Sequence, residues 1–217
     1  LNLIDATGTA TINSSSFNNA AEQLVYVKNT SGSLTLNIGS GRSFSMPASI
    51  TPNASQAIEL TPSGTAALNV TVQGVTFTNI RGNGVLLGAD TALSSGTSSL
   101  TLTNNTFIVT TAGRANGVSI SGQESTTTSL SISGNTFNGA GGNGVISIDV
   151  NDNSIVSGTV GRVGEVPHAD VAGLEPDQRV VAGARSVRFA LLGATLGSAA
   201  AVLIGFGVRV AMSGRAH

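Results

Sequence analysis

Two carboxylates in the segment SIDVNDNS, Asp149 and Asp152, are the candidate site residues of this chain. A pair of carboxyl groups can act as general acid and base in the hydrolysis of a glycosidic bond. Asp149 lies between apolar Ile148 and Val150, so alternation places its side chain on the outer face of a strand. Asp152 follows in a turn, where Asp tolerates a left-handed backbone. Neither has a second carboxylate at the spacing that hydrolysis needs, and a structural role for both is the alternative.

Other catalytic groups are scarce in the sequence. The chain has no cysteine, which excludes thiolate metal sites, disulfides and cysteine nucleophiles. Lys28 is the only lysine, so no basic cluster indicates a polysaccharide lyase. His168 and His217 both lie near the C-terminus, away from the repeats described below, which excludes a Ser/His/Asp triad within those repeats. A net charge of −1 does not indicate a basic surface that would bind nucleic acid. We therefore expect no cofactor, no metal and no nucleic-acid partner.

The residues that would position these carboxylates belong to a repeat. LSISGNTF at 130–137 has a close copy, LTLTNNTF, at 100–107 and a looser one, VTVQGVTF, at 70–77. Alternation of apolar with polar residues predicts a short strand with one buried face, with Thr101 and Ser131 outside. Gly or Asn follows, which accepts positive φ, and then a Phe that returns inward. The residues predicted inside are Leu100, Leu102, Val118, Ile120, Leu130 and Ile132.

Two further copies follow the same rule, ATINSSSF at 10–17 and IDVNDNSI at 148–155. The second copy predicts that Ile155 is an inward anchor and that Asp149 continues an outward column of hydroxyl residues. That column contains Thr71, Thr101 and Ser131. Residues 39–56 fit the repeat poorly and are predicted to form an irregular or extended coil.

Repeats of this size cannot bury their apolar stripes alone and must stack on their neighbours. The pattern of alternating apolar residues, Gly/Asn-Asn-Thr-Phe and Asn-Gly-Val resembles right-handed parallel β-helix proteins of the autotransporter-passenger, adhesin and pectate-lyase-like type. The resemblance covers residues 8–160. It implies an all-β parallel β-helix, or β-solenoid, of about five to six coils, followed by a tail with a helix. The motif phenylalanines would stack, and Asn105 and Asn135 would form an amide ladder.

Composition changes near residue 160, because every Asn lies before that point. We predict a repeat domain over 1–160, as a fragment of a longer solenoid, and a linker over 161–188. Residues 189–208 carry no charge and are long enough to cross a bilayer as a helix. The alternatives for this tail are a cap docked on the last coil and an artefact of the gene model.

The expected function is that of a non-enzymatic structural or adhesin segment, a rigid solenoid that displays loops for binding. We expect it outside the cell or on the cell surface, associated with an outer membrane. Its expected partners are surface glycans or host and cell-surface proteins, with membrane contact through 189–208. The alternative is a carbohydrate-active enzyme, a polysaccharide lyase or glycoside hydrolase, whose active site is incomplete or unrecognised in this fragment.

Overall fold

Short strands of alternating inward and outward residues form three sheets, in a computed structural model. It describes residues 1–12, 16–18, 23–39, 42–45, 56–78, 80, 82–88, 94–108, 117–138, 146–150, 154–161, 164–166, 187–192 and 208–211. The first sheet contains β1 (Asn2–Ile4), β4 (Val25–Asn29), β7 (Ile58–Pro62), β10 (Val85–Gly88), β13 (Val118–Gly122), β16 (Ile146–Val150) and β20 (Val208–Ala211). The second contains β2 (Gly8–Ile12), β5 (Ser33–Ile38), β8 (Ala67–Gln73), β11 (Thr97–Thr103), β14 (Thr127–Ser133), β17 (Ile155–Val160) and β19 (Val187–Leu192). The third contains β3 (Ser16–Asn18), β6 (Arg42–Ser45), β9 (Val75–Thr78), β12 (Thr106–Ile108), β15 (Thr136–Asn138) and β18 (Gly164–Val166).

Consecutive strands from β1 to β18 enter the three sheets in turn, so each coil gives one strand to each sheet. The strands of neighbouring coils pair in parallel and in register; Leu100, for example, lies between Val70 and Leu130. The described residues contain no helix. This arrangement confirms the predicted all-β parallel β-solenoid.

The complete coil pattern is shorter than predicted. About three coils, β7–β9, β10–β12 and β13–β15, have the inward and outward alternation described in all three strands. The prediction of about five to six coils is therefore wrong, since about three show the complete pattern. The strands on either side extend the same three sheets with sequences that depart from the motif.

The core is the column of inward side chains. All six residues predicted inside are buried, while Thr101 and Ser131 face outward, which confirms that prediction. The Phe107 ring stacks between those of Phe77 and Phe137, with centroids 4.5 and 4.6 Å apart.

An amide ladder continues beside these rings. Asn105 Nδ2 donates to Asn135 Oδ1 over 2.9 Å, and the backbone N–H of Asn105 donates to the same oxygen. One coil earlier, the Val75 N–H donates to Asn105 Oδ1. These contacts confirm the predicted ladder, and they satisfy backbone donors at the corner between the second and third sheets.

The turn at that corner needs positive φ. Gly74, Asn104 and Gly134 have φ of 63°, 54° and 64° in successive coils. Asn is among the few residues with a side chain that enter this region readily. The Gly or Asn of the motif is therefore explained by the turn.

Three sequence assignments were wrong. Ile148 and Val150 lie in the first sheet, and Ile155 is no anchor, since it is 36% exposed at the start of β17. Alternation is common to strands of both sheets and cannot tell them apart. In the segment predicted to be irregular, Phe44 pairs in register with Phe17 and Phe77, although residues 46–55 lie outside the described part.

Part of the tail continues the sheets. β19 pairs antiparallel with β17, and β20 pairs in parallel with β16. The predicted helix at 189–208 overlaps strand residues at 189–192 and at Val208, and its remainder, 193–207, lies outside the described residues. Within the described part of the chain, no helix is long and apolar enough to span a membrane. The domain limits at 160 and 188 stay predictions.

Candidate functional site

Asp149 lies in the middle of β16, on the outer face of the first sheet. Its in-register neighbour is Ser121 on β13, and Gly88 on β10 occupies the next place in that column. The predicted column of Thr71, Thr101 and Ser131 belongs instead to the second sheet. Asp149 and those hydroxyl residues therefore do not share a face.

The Asp149 carboxyl is half-buried between its neighbours. Burial raises the pKa of this carboxyl, because removal from water disfavours its ionised form. A raised pKa is what a general acid requires. Acid–base hydrolysis also needs a second group within reach of Asp149.

Asp152 and Glu59 are the candidate carboxylates for an acid–base partner of Asp149. Asp152 lies outside the described residues. Glu59 is on the same sheet but three strands away, about 14 Å from the strand spacing alone. Two-carboxylate hydrolysis works at separations of about 5–9.5 Å. Glu59 moreover accepts a 2.7 Å hydrogen bond from Gln23 Nε2. Glu59 and Asp149 thus do not form an acid–base pair.

The described ranges contain no cluster of side chains that could hold a metal ion. No group of three or more His, Cys, Asp or Glu side chains comes together there. Asp5, on the loop after β1, instead accepts hydrogen bonds from the hydroxyl and backbone N–H of Thr30. These bonds lower the pKa of the Asp5 carboxyl and tie the first coil to the second.

The outer surface of the second sheet is more regular. Its two central outward columns consist of Thr, Ser and Asn on six successive strands, and we call these twelve positions the hydroxyl face. One column contains Thr9, Thr35, Asn69, Ser99, Ser129 and Ser157. The other contains Thr11, Asn37, Thr71, Thr101, Ser131 and Thr159.

The first sheet lacks this uniformity. Its outward positions include Tyr26, Lys28, Glu59, Leu86 and Asp149, so size and charge change from strand to strand. The sequence had pointed to part of the hydroxyl face through Thr71, Thr101 and Ser131. Its full extent was missed because β5 and β17 lack the Phe spacing that defines the register of the motif.

Comparisons of the chain with protein-family models, with curated proteins and with solved structures found no match.

Proposed function

We propose that this chain is a non-enzymatic structural segment of a cell-surface or secreted protein, in which a stiff β-solenoid displays loops for binding. One observation carries the proposal: the connections from the third sheet to the first are long and of unequal length. The passages from the third sheet to the first span residues 19–24, 46–57, 79–84, 109–117 and 139–145. From the second sheet to the third, the motif coils need only Gly74, 104–105 and 134–135.

The core beneath these connections supports their use for display. In-register strands and stacked rings join each coil to the next, and stability in such arrays comes from neighbour contacts. Loops on a rigid scaffold can vary in length and sequence without loss of the core, and they are the usual place for binding residues. A rigid core that carries variable loops fits an adhesin or stalk.

The resemblance of the repeats supports an autotransporter-passenger or adhesin type, in the pectate-lyase-like group of bacterial β-helix proteins. With that type go the proposed partners, surface glycans or host and cell-surface proteins, and a place outside the cell or on its outer membrane. Membrane contact through 189–208 belongs to the same proposal. The low content of charged side chains, 10%, gives no reason to include nucleic acids among the partners.

Loop exchange tests the proposal. Residues 109–116 are replaced by a Gly/Ser segment of equal length, and the intact chain and the variant are applied to glycan arrays and to cultured cells. The matched control replaces 89–93, which connect the first sheet to the second at a different corner. We expect binding by the intact chain and the control, and loss in the 109–116 variant with an unchanged melting temperature. The display function would be refuted if neither arrays nor cells retained the intact chain.

Carbohydrate cleavage is the second candidate, and the raised pKa of Asp149 favours it. An enzyme of this kind would release sugars from one member of a panel of acidic and neutral polysaccharides. Release by the intact chain and its loss in Asp149→Asn would establish the enzyme and overturn the structural proposal. We expect no release by either protein.

A further inference from the structure

The hydroxyl face forms a two-dimensional lattice of polar groups. Strand spacing sets the groups in each column about 4.8 Å apart, and alternation sets the two columns about 6.6 Å apart. Register is unbroken from β2 to β17, so no position is skipped. The same two spacings therefore recur across six strands.

The composition of this face excludes the usual anchors of a protein partner. Protein interfaces depend on Trp, Tyr and Arg in buried pockets. None of the twelve positions holds any of these residues or any charged side chain. A charged group such as the Lys28 ammonium, on the first sheet, binds its own water strongly. A face without charge or large side chains instead suits an uncharged and periodic partner.

We propose that the hydroxyl face binds ice. Each hydroxyl offers one donor and two acceptor sites, so the columns can hold a layer of water at the spacing of the lattice. Ser99 Oγ donates to Asn69 Oδ1 over 2.8 Å, which shows that adjacent groups in a column come within hydrogen-bonding distance. The ordering of these groups is already achieved by folding, and a preorganised surface loses less entropy when it binds.

The proposal differs from loop display, because it assigns the outer face of a sheet rather than the variable connections. Loss of binding in the loop variants would leave ice binding untouched. Conversely, loss of ice binding would leave the loops able to bind.

The test measures ice recrystallisation inhibition and thermal hysteresis with the full chain and two variants. Thr101→Tyr places a large ring in the middle of the hydroxyl face. Ser119→Tyr makes a similar change at a half-buried outward position on the first sheet and serves as the matched control. Circular dichroism and thermal unfolding establish that both variants fold, and an inert globular protein at equal molarity gives the baseline.

We expect the full chain and Ser119→Tyr to keep ice crystals small and to separate the freezing and melting points, and Thr101→Tyr to lose both effects. Baseline crystal growth with the full chain would overturn the proposal, as would full activity in a folded Thr101→Tyr. If Thr101→Tyr abolished retention on insoluble cellulose, or abolished a dimer, while the full chain had no effect on ice, the face would belong to a neutral polysaccharide or to a second copy, and the proposal would be wrong.

Discussion

At the scale of single residues, the side chains of the motif are each fixed by the equivalent residue in the next coil. Phe107 contacts a ring on either side, and Asn105 bonds to groups in the coils before and after it. A substitution in the middle coil therefore removes two contacts at once. The outward neighbours of these residues, such as Thr106, lack that constraint.

Phe107→Ala should lower the free energy of unfolding by about 3–5 kcal/mol, because the ring is enclosed and its removal leaves a cavity between two others. Thr106→Ala, one residue away on the outer face, should change it by less than about 0.5 kcal/mol. Urea unfolding followed by circular dichroism measures both. Equal effects of the two substitutions would show that Phe107 is not enclosed.

Asp149→Asn should stabilise the protein at pH 7. Burial raises the folded-state pKa of this carboxyl, so its ionised form costs stability above that pKa. The cost disappears as pH falls below the ordinary value of 3.8, where both states are protonated. The melting temperatures of variant and wild type should therefore converge in acid.

Asp5→Asn is the control, and its effect on the melting temperature should be opposite to that of Asp149→Asn. The bonds from Thr30 lower the pKa of Asp5, so its ionised form stabilises the fold at neutral pH, and that stability is lost as pH falls through the lowered pKa. Asp5→Asn should lower the melting temperature at pH 7. If both variants raised the melting temperature at pH 7, or both lowered it, the environments assigned to Asp149 and Asp5 would be wrong.

At the scale of elements, alternation predicts which residues of a strand face inward but not which sheet the strand joins. It placed Leu130 and Ile132 inside as observed. It assigned Asp149 to the wrong column, because IDV has the inward pattern of both sheets and no Phe follows to distinguish them. Phe44 was missed for a related reason: GSGRSF lacks the Asn-Thr that precedes Phe107 and Phe137, yet β6 pairs in register with β3 and β9.

Close approach of coils at the strand ends also limits the sequence. A Cβ on Gly96, at the entry to β11, would collide with the backbone carbonyl oxygen of Ala66 in the preceding coil. Gly96→Ala should therefore destabilise by about 1–3 kcal/mol. Gly88→Ala is the matched control, since nothing lies within 4 Å of its Cβ position. Urea midpoints that shift equally for both would contradict the tight approach at Gly96.

At the scale of the whole molecule, the solenoid must protect its ends, because open strand edges recruit other chains. At the C-terminal end, β19 and β20 pair with β17 and β16. The composition change near residue 160 predicted a separate tail, but composition carries no information on strand pairing. The described pairings add one strand to the first sheet and one to the second, so β19 and β20 are joined to the last coil by strand pairing.

A chain truncated after Val160 should therefore aggregate, since it exposes the edges of β16 and β17. The full chain should stay soluble without detergent. Size-exclusion chromatography with light scattering of both proteins measures this. A soluble, monomeric and β-rich truncated chain would show that the tail is an appendage, and a full chain that needs detergent would favour the membrane segment at 189–208.

The in-register solenoid itself is tested most directly by one distance. The chain has no cysteine, so spin labels can be attached at Thr11→Cys and Thr159→Cys alone. These positions lie in one column, five strand steps apart through Asn37, Thr71, Thr101 and Ser131. Pulsed electron paramagnetic resonance should give a narrow distribution centred near about 24 Å. A broad distribution, or one centred well above that distance, would contradict the stacked register on which the fold, the display function and the hydroxyl face all depend.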